Sequence, residues 1–160
     1  MNIKEEAKAV KLASPKMAGT SEEARNKALL EVVKQLKARR QEIFEANAMD
    51  LKQAEIDKVA APIIKRLKFD ETKLRDVIAG IEDLVKLEDP LFKQDMHRQL
   101  DEGLTLYRET CPIGVIGVIF EARPDALIQI SSLCIKSGNC VILKGGSETM
   151  NSNRVLFNII

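Results

Sequence analysis

Ile113-Gly-Val-Ile-Gly-Val-Ile-Phe120 and Cys140-Val-Ile-Leu-Lys-Gly-Gly-Ser-Glu148, with Pro124-Asp125 and Gly138 between them, decide the fold. The first run is apolar at both alternating positions, which suits a strand buried on both faces. Pro124-Asp125 opens a helix bearing Leu127, Ile130, Leu133 and Cys134, and Gly138 ends it. Cys140–Leu143 is a second apolar strand, and Lys144-Gly145-Gly146-Ser147-Glu148 reads as a tight turn followed by a serine N-cap. Strand, helix, strand, helix is a βαβ unit, with a parallel pair and a right-handed crossover. Ligands of such sheets sit beyond the carboxyl ends of the strands, here Glu121–Arg123 and Lys144–Glu148.

Upstream of this unit the pattern is helical. Residues 4–17 place Ala7, Val10 and Ala13 at helical spacing. Thr20 and Glu23 have the spacing of a capping box. The helix after it carries Ala28, Leu29, Val32, Val33, Leu36, Ile43 and Phe44 as one stripe, with Arg39 and Arg40 on its outer face. A shorter helix is predicted over 48–57. Pro62 suits the first turn of the next, whose buried side is Ile63, Ile64 and Leu67. Asp70 caps a further helix with Leu74, Val77, Ile78, Ile81, Leu84 and Val85 on one face, and Pro90 lies beyond its end. Asp101-Glu102-Gly103 is a turn signal inside a β-hairpin or arm over 93–110. The lone His97 has no ligand-spaced partner, reads as solvated, and no metal site is expected.

The chain has 160 residues, about one domain. Its 25 basic and 24 acidic side chains leave a net charge of +1, which gives no electrostatic reason to expect nucleic acid or an anionic membrane as partner. No apolar stretch approaches the ~20 residues that span a bilayer, and no secretory signal is visible at the start. Three cysteines, Cys111, Cys134 and Cys140, form no CxxC pair and fit a reducing cytoplasm, where each reads as a small buried hydrophobe. Charged residues concentrate in the first hundred positions, so the remainder is expected to be largely buried.

The corner after Leu143 has residue types suited to a phosphate. Backbone amides at Gly145, Gly146 and Ser147 are unobstructed and open a helix, where partial positive charge gathers. Lys144 adds a cation and Ser147 a hydroxyl, while Glu148 could accept from a ribose. The spacing is not GxGxxG, and a lysine, a glycine turn and a serine cap recur in many α/β proteins.

Residues 111–125, Cys-Pro-Ile-Gly-Val-Ile-Gly-Val-Ile-Phe-Glu-Ala-Arg-Pro-Asp, resemble the signature segment of the γ-glutamyl phosphate reductases, which lie within the aldehyde dehydrogenase superfamily. Residues 132–149 resemble it too, as do Glu-Ala-Asn-Ala-Met-Asp at 45–50 and Leu-Glu-Asp-Pro at 87–90. The resemblance implies an α/β chain in which N-terminal helices precede the start of a Rossmann-like parallel sheet, aldehyde dehydrogenase-like and incomplete. It divides the chain into a helical part over 1–92, a hairpin arm for oligomerisation over 93–111, and the first βαβ of a dinucleotide-binding domain over 112–160. It also implies a reaction, the reduction of L-glutamate 5-phosphate by NADPH to the semialdehyde, in the proline-forming route. A cysteine thiolate displaces phosphate and the cofactor supplies hydride to the thioester.

Carried over by position, Lys144 and Ser147 face the adenosine ribose and its 2′-phosphate, flanked by Gly145 and Gly146. A small hydroxyl at 147, where NAD-preferring relatives often have a carboxylate, removes a repulsion. Ile119, Phe120, Glu121 and Ala122 run alongside the cofactor. Arg123 falls where general aldehyde dehydrogenases place an asparagine, and engages the acyl phosphate or else pairs with Glu121 or Asp125.

Members of that family are more than twice as long, and their nucleophilic cysteine belongs to a later segment with no counterpart here. The chain is therefore expected to hold no catalytic residue of its own and half a cofactor site. The stripe Val155, Leu156, Ile159 and Ile160 runs to the last residue without a cap, which reads as a chain cut short. The alternatives are a non-enzymatic fragment that dimerises through the arm, a decayed remnant, or an aldehyde dehydrogenase of other acyl specificity, against which the Glu-Ala-Arg-Pro loop argues.

Overall fold

The computed structural model describes residues 2–160. Five helices come first: α1 (Ile3–Ala18), α2 (Glu22–Ala38), α3 (Arg40–Ile56), α4 (Ala61–Leu67) and α5 (Glu71–Lys86). A hairpin of β1 (Gln94–Asp101) and β2 (Leu104–Glu109) follows. The chain then runs through β3 (Val115–Ile119), α6 (Pro124–Lys136), β4 (Cys140–Lys144), a 3-10 turn (Ser147–Thr149) and α7 (Met150–Phe157). The β3 and β4 strands pair in parallel, with Val115 opposite Cys140 and Ile119 opposite Lys144, so the predicted βαβ unit is present. No helix among the described residues is long and apolar enough to cross a membrane.

The core lies where α2, α5 and α6 meet. Leu29, Leu36, Val77, Ile81, Leu127 and Ile128 fill it, and Leu156 of α7 joins from the far side. Burial of such side chains contributes roughly 1.5–3 kcal/mol each relative to exposure. Two buried cations tie this core together. Arg25 donates to the Asp89 carboxylate and to the carbonyl of Thr20, while Asp89 also accepts from the amide of Leu91. Lys136, 3% exposed, donates to Glu22 and Asn26 of α2 and to the carbonyl of Leu87 beyond α5. The Leu87–Pro90 segment thus fastens α2 to the α5 end, which is a structural use of that stretch.

Side-chain caps open α1, α2 and α5, and the one at α2 differs from the expectation. Asp70 caps α5 as expected, accepting from the amide of Lys73. The cap of α2 is Ser21, which accepts from the amide of Ala24; the Thr20 hydroxyl instead donates to the carbonyl of Met17 at the end of α1. A second correction concerns 40–57. The chain kinks at Arg39 (φ −101°, ψ 19°), and a single helix α3 replaces both the tail of the predicted long helix and the separate one over 48–57. Nearly continuous hydrogen bonding, Arg39 amide to Gln35 carbonyl and Ile43 amide to Arg39 carbonyl, lets one residue absorb the bend.

The last sixty residues are less buried than their composition suggests. Ile113 is 84% exposed and Ile119 76%, and Gly117 is exposed as well, so β3 is not covered on both faces. Helix α1 lies against β4 and β3, α6 packs behind β4, and the strands have no third partner. Leu133, placed on the buried stripe of α6, is exposed, whereas Cys134 is buried. The hairpin turns at Gly103 (φ +73°), a conformation that glycine adopts without strain, and His97 stacks on Tyr107 across it with ring centroids 4.8 Å apart.

Candidate functional site

The site begins where the β3–β4 ladder stops. Its last bond runs from the amide of Phe120 to the carbonyl of Lys144, 3.1 Å, and beyond it the two chains part into the 121–123 and 145–148 loops. A cavity of about 850 Å³ opens at the β4 loop and continues along the strand toward α1. At this corner it is lined by Phe120, Leu143, Lys144, Gly145, Gly146 and Ser147, and from α7 by Asn153, Arg154 and Phe157. Its walls are mostly apolar, with two cations and a hydroxyl at the rim. No described residue accepts a hydrogen bond from the amides of Gly145, Gly146 or Ser147. Both glycines leave room for neighbouring side-chain ends, Gly145 for the Asn153 amide and Gly146 for the Glu148 carboxylate.

Two carboxylates shape the corner from behind. Asp50, 3% exposed on α3, accepts from the amide and hydroxyl of Ser152 (2.8 and 2.6 Å) and from the amide and side chain of Asn151. It therefore occupies the N-terminus of α7 that Ser147 was expected to cap; Ser147 opens the 3-10 turn instead and makes no capping bond. Asn47, one turn earlier on α3, donates to the Ser152 hydroxyl and the carbonyl of Leu67, and accepts from the amide of Phe69. The 45–50 stretch thus seats α7 and with it the corner.

Glu148 is the second carboxylate. It accepts from the amide of Ala122 at 2.5 Å and faces a separate cavity of about 670 Å³, lined also by Asp57, Arg66, Glu121 and Ser147. Its carboxylate packs against Gly146 at the edge of the corner while lining only the second cavity. Ala122 is 5% exposed with φ +50°, a left-handed backbone that is strained for a residue with a Cβ. Next to it Arg123, half exposed, pairs with the buried Asp125 at 3.3 Å, and Asp125 lies 3.8 Å from Lys73 of α5. Of the two readings of Arg123, the pairing with Asp125 is the one present.

The expected site residues therefore separate into groups. Phe120, Lys144, Gly145, Gly146 and Ser147 share the first cavity; Glu121 and Ala122 lie on the second, and Ile119 and Arg123 line neither. Sequence reasoning missed Arg154, Asn153 and Asp50. Arg154 stands seven positions after Ser147 on α7, a spacing that puts two turns of helix between corner and cation. It forms no ion pair among the described residues. Of the cysteines, burial raises the Cys134 thiol above its usual value, helped by the neighbouring Cys140. Cys111 is exposed, against the expectation of burial, because it precedes β3 in an open segment. Among the described residues no group of three or more His, Cys, Asp or Glu could hold a metal ion.

Comparison with known proteins shows what the chain is similar to. No protein-family model matches the chain. The γ-glutamyl phosphate reductase of Acetivibrio thermocellus is 55% identical over 160 residues, all of this chain and 37% of that protein. That of Pelotomaculum thermopropionicum is 52% identical over the same span, again 37% of its length. The crystal structure of the γ-glutamyl phosphate reductase of Saccharomyces cerevisiae matches 96% of this chain and 39% of its own, with a TM-score of 0.92 at 43% identity. The Thermotoga maritima enzyme gives 0.95 at 31% identity, over 99% of this chain and 38% of its own. A putative aldehyde dehydrogenase from Bacillus subtilis, 19% identical over 94% of this chain and 30% of its own, shares the fold at a TM-score of 0.70. The chain spans little more than a third of the length of the γ-glutamyl phosphate reductases it matches. Over its whole length it is a homologue of the γ-glutamyl phosphate reductases, with the aldehyde dehydrogenase-like fold, and corresponds to their N-terminal part.

Proposed function

We propose that the chain supplies the adenosine-binding part of an NADPH-dependent reductase of L-glutamate 5-phosphate, acting in the cytoplasm in proline biosynthesis. The observation that carries this reading is the rim of the 850 Å³ cavity, where Lys144, Ser147 and Arg154 meet over free backbone amides beside an apolar wall. These residues fit the group. Lys144 and Arg154 oppose the charge of a ribose 2′-phosphate, Ser147 donates to it, and Phe120 and Leu143 give the adenosine an apolar surface. The Glu148 carboxylate accepts from the amide of Ala122, and the cations Lys144 and Arg154 offset its charge at the corner. When bound, the cofactor supplies hydride to the substrate carbon.

Ile119, Glu121 and Ala122, outside the first cavity, are assigned by position to run alongside the cofactor at the end of β3. Arg123, oriented by Asp125, is the side chain assigned to the acyl phosphate of the substrate. We infer that none of Cys111, Cys134 and Cys140 is the nucleophile, so residues 1–160 by themselves are expected to turn nothing over. We assign residues 1–92 to the helical part of the cofactor domain, the 93–111 hairpin to subunit association, and 112–160 to its first βαβ. A chimaera tests the reading: residues 1–160 replace the matching segment of the Acetivibrio thermocellus enzyme. The chimaera is expected to oxidise NADPH only when glutamyl phosphate is present. Oxidation independent of it, or a folded but inert chimaera, would overturn the assignment.

A further inference from the structure

We propose that Glu148 is a positioning residue that couples the nucleotide corner after β4 to the loop carrying Arg123 after β3; the proposal rests on the reading of that corner given above. Ladder hydrogen bonding ends at Phe120 and Lys144, so nothing in the sheet fixes where residues 121–123 lie relative to residues 145–148. One side chain crosses that gap. The Glu148 carboxylate accepts from the amide of Ala122, a charge-assisted bond and hence a strong one.

The acceptor meets a residue that needs it. Ala122 is buried and left-handed, a conformation that is strained for a residue with a Cβ and persists only when its surroundings hold it. Turning the backbone at 122 sets the direction in which Arg123 leaves the loop. Glu148 is itself fixed at both ends. Gly146 leaves room for its carboxylate, and Thr149, fully buried, bonds back to the Gly146 carbonyl through its hydroxyl. A ligand that shifts the 145–147 backbone therefore moves the acceptor, and the acceptor moves Ala122 and Arg123.

The test follows backbone amides of the isotope-labelled chain during titration with adenosine 2′,5′-bisphosphate. In the unaltered chain, resonances of Lys144–Ser147 shift, and those of Ala122 and Arg123 shift with them. Glu148→Asp keeps the charge but is one methylene too short to reach. There the corner still responds while the Ala122 and Arg123 responses fall by about fivefold or more. Glu148→Gln, which keeps an acceptor oxygen of the right reach, restores most of the response. The Ser152 amide, held by Asp50, reports that each variant is folded. Undiminished Ala122 and Arg123 shifts in Glu148→Asp overturn the coupling. A silent Lys144–Ser147 corner overturns the nucleotide reading instead. The clasp is then judged from the Ala122 amide proton alone, which must lie downfield in the unaltered chain and move upfield in Glu148→Asp; if it does not move, the clasp is refuted.

Discussion

A thiol reacts as far as it is exposed and ionised, and the three cysteines differ in exposure. Cys111 is open to solvent, while burial holds the Cys134 thiol above its usual value and out of reach. Brief alkylation of the folded chain at mildly alkaline pH is expected to label Cys111 and spare Cys134, as read by peptide mass spectrometry. Labelling of Cys134 at the rate of Cys111 would contradict the packing of α6. Asp70 is a second local test. Its carboxyl is held below the usual carboxylate range by the Lys73 amide and then by Lys68, so it stabilises the fold above its unfolded-state value. That contribution is lost as the pH falls through the depressed folded value. Asp70→Ala should cost about 1 kcal/mol at neutral pH and less in acid, measured as the shift in urea midpoint.

Helices were legible where caps and stripes agreed, and illegible where the chain bent without a signal. Asp70 and Pro62 mark real helix starts, and Gly138 ends α6 in a left-handed turn. Arg39 is neither glycine nor proline, and the stripe runs on through Ile43 and Phe44, so periodicity could not reveal the kink there. Thr20 and Ser21 compete for one cap, and only the demand of the Met17 carbonyl at the end of α1 decides between them. The seating of α7 was equally hidden, since Asp50 lies about a hundred positions from Ser152. Asp50→Ala removes a buried carboxylate and leaves the α7 amides unpaired, so it should cost roughly 2 kcal/mol or more. It should also weaken adenosine 2′,5′-bisphosphate binding. A variant of unchanged stability would show that α7 is held by its apolar face alone.

At the scale of the molecule, the parallel pair and the two loops at its carboxyl ends could be read directly, because fully apolar strands and a glycine turn are local signals. The site's second layer could not. Arg154 joins the cavity only through the helical geometry of α7, and the bond from the Ala122 amide to Glu148 links two loops that no local signal pairs. The apolar positions of β3 led to an expectation of burial that two strands and two flanking helices do not meet, as Ile113 and Ile119 show. The central claim, a corner built for a phosphorylated adenosine, rests on a small hydroxyl beside a lysine. Replacing it puts a carboxylate against the 2′-phosphate and leaves an unphosphorylated ribose almost untouched. In the chimaera carrying residues 1–160, KM for NADPH and for NADH should therefore be compared before and after Ser147→Glu. The account requires a rise for NADPH at least about tenfold larger than for NADH, a difference near 1.4 kcal/mol, whereas an equal change for the two cofactors would contradict it.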